Sequence, residues 1–106
     1  MKGFGENKDI KKDKYIPSNK DKDLFLKNKL DLAKNYLSSG DVLQAKKIYS
    51  QLINKGITSY DLLFSYALLS RNCSEFRFAK ELLFRSISRY PTRINLYILL
   101  AEILRL

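Results

Sequence analysis

The five alanines of the chain recur at regular positions, and the successive intervals between them are 12, 22, 12 and 22. Ala33, Ala67 and Ala101 therefore form one 34-residue series, and Ala45 and Ala79 form a second. A period of about 20 to 50 residues indicates a repeat architecture, because each unit buries its apolar face only against its neighbours. The spacing therefore predicts a stacked array of similar units.

Large apolar residues keep the same 34-residue interval. The matching sets are Leu32, Tyr66 and Leu100; Leu30, Phe64 and Ile98; Leu62 and Leu96; Ile48 and Leu82; and Ile53 and Ile87. Paired helices pack with their axes about 8 to 10 Å apart, and the side chain at the crossing sets that distance. We therefore expect the alanines at close helix crossings, with the larger residues interlocking around them.

Apolar periodicity and capping residues predict five helices and no strands. They are expected from a start between about Asn19 and Asp23 to Leu37, from Val42 to Lys55, from a cap at Thr58 or Ser59 to a turn at 71–74, from Glu75 to Arg89, and from Arg93 to Leu106. The predicted N-caps are Ser18, Asp41, either Thr58 or Ser59, and Ser74, because their side-chain oxygens can accept from free backbone N–H groups. Asn72 is predicted to take the left-handed conformation where the second turn lacks a glycine.

The predicted core follows the apolar stripe of each helix. Its members are Leu26, Leu30, Leu32, Ala33, Tyr36, Leu37, Leu43, Ala45, Ile48, Tyr49, Leu52, Ile53, Leu62, Leu63, Tyr66, Ala67, either Leu69 or Ser70, Phe76, Ala79, Leu82, Leu83 and Ile87. The last helix differs because its apolar residues cover more than one side. It is therefore expected to belong to a longer array or to associate with itself or a partner, since large exposed apolar patches are rare on soluble monomers.

These positions resemble the tetratricopeptide repeat, a family with a period of about 34 residues and a two-helix unit. The residues that carry the resemblance are Ala67, Ala79, Tyr66, Leu83 and Pro91 in the full repeat, and Ala33, Ala45, Tyr36, Tyr49 and Gly40 in the first. Lys29, Ile57 and Ser74 depart from the family pattern. The resemblance implies an all-α solenoid of about two and a half repeats, over residues 26–59, 60–93 and 94–106. A lysine-rich, disordered leader is expected over residues 1–22, before a repeat domain over 23–106.

The resemblance also implies a concave groove lined by the first helix of each unit. The family's contact positions correspond here to Lys27, Leu30, Lys34, Asp61, Phe64, Leu68, Arg71, Asn95, Ile98, Glu102 and Arg105. Such a groove would hold a peptide or helix of a protein partner, with apolar anchors beside acidic groups. The clamp with which some members hold a chaperone's C-terminal carboxylate is not matched, since Leu30 and Lys34 stand at two of its positions.

The net charge of +9 leaves a second function open. Residues 1–23 contribute +2 and residues 24–106 contribute +7, so the predicted domain carries the excess. The related pentatricopeptide family reads RNA with helical repeats, and Arg71, Arg77, Arg85, Arg89 and Arg93 would suit such a role. The 34-residue period and Pro91 fit the tetratricopeptide pattern better, so nucleic acid is the less favoured partner.

A third interpretation is the targeting arm of an enzyme whose catalytic domain lies elsewhere. The opening MKGFGE is similar to the start of some bacterial repeat proteins that continue into a transferase domain. The chain itself has no histidine, one cysteine and no glycine-rich phosphate loop, which predicts no catalysis, cofactor or metal. No signal peptide or membrane-length apolar run is present, so a cytoplasmic location is expected.

Overall fold

The computed structural model describes residues 18–106 and contains five α-helices over that range. They are α1 (Asn19–Ser38), α2 (Val42–Asn54), α3 (Tyr60–Asn72), α4 (Phe76–Arg89) and α5 (Ile94–Leu104). The all-helical prediction is confirmed for these residues. Most of the predicted leader, residues 1–17, lies outside the described residues, and residues 19–22 form the first turn of α1. None of the five helices is long and apolar enough to cross a membrane.

Three of the four predicted N-caps are confirmed. Ser18 accepts from the Asp21 N–H at 3.1 Å, Asp41 from the Gln44 N–H at 3.2 Å, and Ser59 from the Leu62 N–H at 3.2 Å. Each oxygen satisfies a backbone donor that the first helical turn leaves without an intrahelical partner. The starts of α1, α2 and α3 are therefore fixed by local sequence.

The repeat period is present in the backbone itself. Helices α2 and α4 begin one period apart, at positions 42 and 76, and so do α3 and α5, at positions 60 and 94. The two hairpin turns share their hydrogen bonds, because the Asp41 N–H donates to the Tyr36 carbonyl and the Glu75 N–H to the Ser70 carbonyl, both at 2.8 Å. The turns at 39–41 and 73–75 are therefore the same structure built twice.

The turn before α4 corrects two predictions. Ser74, and not Asn72, takes the left-handed conformation, with φ +62° against +85° at Gly40 in the first turn. The hydrogen bonds of the turn fix which position must adopt positive φ, and Ser74 occupies the position of Gly40. The N-cap of α4 is consequently Glu75, and no side chain of the described residues caps its backbone.

Consecutive helices pack against one another. Helices α1 and α2 form one hairpin and α3 and α4 another, and turns of three residues make the two helices of each hairpin antiparallel. Helix α3 also packs on α2, and α5 packs on both α4 and α3. The core therefore runs as a continuous strip from the first hairpin to α5.

The buried core matches the predicted stripes, with two errors. Ala33, Ala45, Ala67 and Ala79 are fully buried, as expected of residues at close helix crossings. Leu43, however, is 73% exposed, because it precedes Ala45 by two residues and so lies about 200° around the helix from it. Leu32 is also exposed, one residue away from the buried Ala33.

Candidate functional site

A groove runs between α1 and α3, on the side of the molecule where the first helices of the two hairpins face each other. Helix α3 packs mainly on α2 and α4, and α1 and α3 are not among the helix pairs in substantial contact. Two depressions, of about 440 and 460 Å³, lie between these helices and share Lys34 and Ser65 on their walls. They therefore form one continuous feature, here called the α1/α3 groove.

The walls of the α1/α3 groove combine leucines with charged residues. They consist of Asp23, Leu26, Lys27, Leu30, Asp31, Lys34, Leu37, Val42, Asp61, Ser65, Leu68, Leu69, Asn72 and Cys73. Leu30 and Leu68 are half-buried and pack on the core, so they expose part of an apolar surface without being free to move away. The groove can therefore offer a ligand apolar contacts from side chains that the core holds in place.

Charge along the groove is only partly neutralised. Lys27 Nζ lies 3.3 Å from Asp31 Oδ2 one helical turn later, an exposed pair that contributes little stability. Lys34 and Asp61 form no salt bridge within residues 18–106. The ammonium group of Lys34 at the shared centre of the groove therefore has no carboxylate of residues 18–106 within salt-bridge distance, although Asp31 and Asp61 line the same depression.

Five of the residues predicted for a concave groove meet in this one. Lys27, Leu30, Lys34, Asp61 and Leu68 all line it. The family resemblance did not indicate the other residues on the same walls, which are Asp23, Leu26, Asp31, Leu37, Val42, Ser65, Leu69, Asn72 and Cys73. Apolar periodicity assigns Leu26 and Leu37 to the core, where they are only half-buried. That these residues bind a partner stays a prediction.

Phe64 lies in an aromatic cluster and not on these walls. Its ring stacks on Tyr60 at a centroid distance of 5.7 Å and an interplanar angle of 11°. Tyr60 also meets the edge of Tyr90 at 5.9 Å, and the Arg93 guanidinium lies 4.5 Å from its centroid. The Tyr90 hydroxyl donates to the Thr58 carbonyl at 2.6 Å, which fixes the cluster at the α4–α5 turn.

Arg71 ties α3 to α5. Its Nη1 lies 2.7 Å from Glu102 Oε1, and its Nε donates to Asn72 Oδ1 at 2.9 Å. Both members of the ion pair were predicted as groove contacts, and each is already the other's partner. Of the remaining predicted positions, Asn95 and Ile98 are exposed on α5, and Arg105 is exposed at its C-cap.

The arginines named for RNA binding do not share one surface with the groove. Arg71 is engaged by Glu102, and Arg93 lies over Tyr60. Arg77, Arg85 and Arg89 are exposed on α4 and do not line the groove. The cations are therefore distributed over several faces.

A second, open depression of about 730 Å³ lies between α2 and α4. Lys46 Nζ and Glu75 Oε2 lie 2.7 Å apart on its wall, and the bond to Glu75 raises the pKa of Lys46. The Tyr66 ring meets the edge of Phe78 at 5.1 Å, and burial raises the pKa of Tyr66. The ion pair joins the N-cap of α4 to the first hairpin, and the ring contact joins α4 to α3. Sequence spacing did not indicate the ion pair.

No metal centre or assigned homologue adds to this description. Within residues 18–106, no group of three or more His, Cys, Asp and Glu side chains could hold a metal ion. Comparisons with protein-family models, with curated proteins and with solved structures gave no match. The resemblance to the tetratricopeptide repeat therefore rests on the recurring residues of the sequence and stays a prediction.

Proposed function

We propose that this chain is a non-catalytic interaction module of the tetratricopeptide type, which binds a peptide or helix of a protein partner in the α1/α3 groove. The 34-residue recurrence of helix starts and turn hydrogen bonds supports the family assignment. The superhelix of about two and a half repeats is part of the same proposal, as is a place within a longer repeat protein.

The observation that carries the proposal is the position of Lys34, which lies where the two depressions join and has no salt bridge within residues 18–106. Leu30 lines one depression and Leu68 the other, so apolar surface lies on both sides of the cation. Apolar pockets supply most of the binding free energy in such a groove, whereas a charge fixes orientation. We expect a ligand with apolar side chains on either side of one carboxylate.

Selection from a random peptide library, with the full chain as bait, tests the proposal. Peptides carrying an acidic residue between apolar ones should be enriched, and Lys34→Glu or Val42→Glu should weaken their binding. Both residues are exposed, so these substitutions spare the core. Lys47→Glu and Leu43→Glu are matched controls, since they make the same changes on α2 outside the groove.

Peptides that bind the groove variants and the controls equally would contradict the groove assignment. Single-stranded RNA in parallel assays addresses the nucleic-acid alternative. An affinity for RNA that falls steeply with rising salt and is unchanged by Lys34→Glu would favour RNA over a peptide as the ligand. Counterion release from phosphates dominates such binding.

A further inference from the structure

The outer side of α5 repeats a surface that is buried on α3. Leu63, Ala67 and Ser70 on α3 are all fully buried. The residues one period later are Tyr97, Ala101 and Leu104, and all three are exposed. The two helices differ in their neighbours, since α4 packs along α3 and no corresponding helix follows α5 among the described residues. On α3, the equivalent surface therefore lies in a hairpin with an antiparallel helix, α4.

Lys80 supplies a second, independent observation about the same side of the molecule. In the first hairpin Lys46 pairs at 2.7 Å with Glu75, the N-cap residue of the arriving helix α4. Lys80 stands one period after Lys46, on α4, and forms no salt bridge within residues 18–106. A helix that packs on α5 as α4 packs on α3 would place its own N-cap beside this ammonium group.

We propose that the outer face of α5, defined as Ile94, Tyr97, Ala101 and Leu104, docks an amphipathic helix of the α4 type. That helix carries an acidic residue at its N-cap, for Lys80, and a small residue four positions later, for Ala101. In α4 these are Glu75 and Ala79, and Ala79 is fully buried in the same hairpin as Ala67. A small residue is required because the helices cross closely at this point.

This surface is separate from the α1/α3 groove, so the two proposals can fail independently. The walls of the groove come from α1, α2, α3 and the turn after α3, and none comes from α5. The helix partner is defined by chemistry alone: an apolar stripe, one small residue and one N-terminal carboxylate.

The direct probe is a fluorescein-labelled peptide with the sequence Ser74 to Tyr90, titrated with the full chain and followed by anisotropy. We expect saturable binding. Ala101→Leu in the chain should weaken it about tenfold or more, because overpacking a close crossing is costly. Lys80→Glu should also weaken it, and a Glu75→Lys peptide should restore binding to that variant. Lys47→Glu makes the same change of charge on α2 and should have no effect.

A second measurement tests the same docking without relying on the isolated peptide to form a helix in solution. Leu106 stands one period after Asn72, so a copy of residues 73–91 with Cys73→Ser, appended after Leu106, continues the repeat in register. Hydrogen exchange in α5 should slow and the unfolding midpoint should rise, and Ala79→Leu within the copy should cancel both changes.

Three outcomes would overturn the proposal. One is the absence of both peptide binding and stabilisation by the appended copy. Another is binding that survives Ala101→Leu and Lys80→Glu, which would place the peptide elsewhere. The third is self-association that increases with concentration in sedimentation velocity, that Leu104→Glu abolishes and that the peptide does not displace. This result would mean that a second copy of the chain binds the outer face of α5.

Discussion

Helices α3 and α5 occupy equivalent positions in successive units, yet only one of them is covered on both sides. Leu62 and Leu96 stand one period apart and are both fully buried, so the two helices are alike on this side, here called the inner face. Their outer faces differ, because Ser70 is 0% exposed and the equivalent Leu104 is 63% exposed. The pattern of apolar residues is thus a property of the sequence, whereas the burial of each face is a property of its neighbours.

The comparison also explains why α5 is apolar nearly all round. A surface helix needs one apolar stripe, and a helix that is apolar on every side is typical of a buried position. In α3 the second stripe, Leu63, Ala67 and Ser70, is buried in the hairpin with α4. In α5 the same stripe remains at the surface, with Ile94 69% exposed at its start.

The largest expected effects concern the shared inner face. Leu62→Ala and Leu96→Ala should each lower the free energy of unfolding by about 2–5 kcal/mol, because both remove a fully buried side chain and leave a cavity. Urea denaturation followed by circular dichroism measures this. Leu106→Ala is the control, since Leu106 is exposed and its loss should cost less than about 0.5 kcal/mol. A Leu96→Ala effect as small as the control would show that α5 is not docked.

The next largest effect distinguishes the outer face of α3 from that of α5. Ala67→Leu should overpack the α3–α4 crossing and lower the free energy of unfolding by about 1–3 kcal/mol. Ala101→Leu places the same methylene groups at an exposed position and should change it by less than about 0.5 kcal/mol. Equal losses at the two sites, again by urea denaturation, would mean that the outer face of α5 is already covered in the isolated chain.

The smallest effect is confined to alkaline pH. Burial raises the pKa of Tyr49 and of Tyr66 above their ordinary 10.0, and the bond to Glu75 raises the pKa of Lys46 above 10.5. The unfolded chain therefore releases these protons first, and the contribution of these three groups to the free energy of unfolding should be constant below about pH 9 and fall from about pH 10 upward. Tyr49→Phe with Tyr66→Phe should make that fall shallower. A wild-type value that stays constant through about pH 11 would contradict the expectation.

The sequence predicted the repeated features well because the repeat supplies each position with an internal comparison. The helix number, three N-caps and the four buried alanines follow from periodicity and capping chemistry alone. The sequence misleads where residue type and helix or turn geometry disagree. Leu43 is apolar but lies opposite Ala45, and Asn72 tolerates positive φ but the turn requires it at Ser74.

The candidate site was less predictable, because side-chain pairing between helices has no local signal. Nothing in the spacing indicates that Arg71 meets Glu102, or that Phe64 stacks on Tyr60. Both contacts occupy residues expected to be available to a ligand. The five residues that do line the groove are those on α1 and on the side of α3 facing it.

The order in which the helices pack has a kinetic consequence. Helix pairs in substantial contact are separated by at most one other helix along the chain, and the ion pair with the greatest sequence separation among the described residues joins positions 31 apart. Contacts between near neighbours in sequence form quickly, because little loop entropy is lost in closing them. Folding can therefore begin in either hairpin and spread to the adjacent helix. The ends should open independently of the centre, so that α5 exchanges its amide protons without unfolding of the first hairpin.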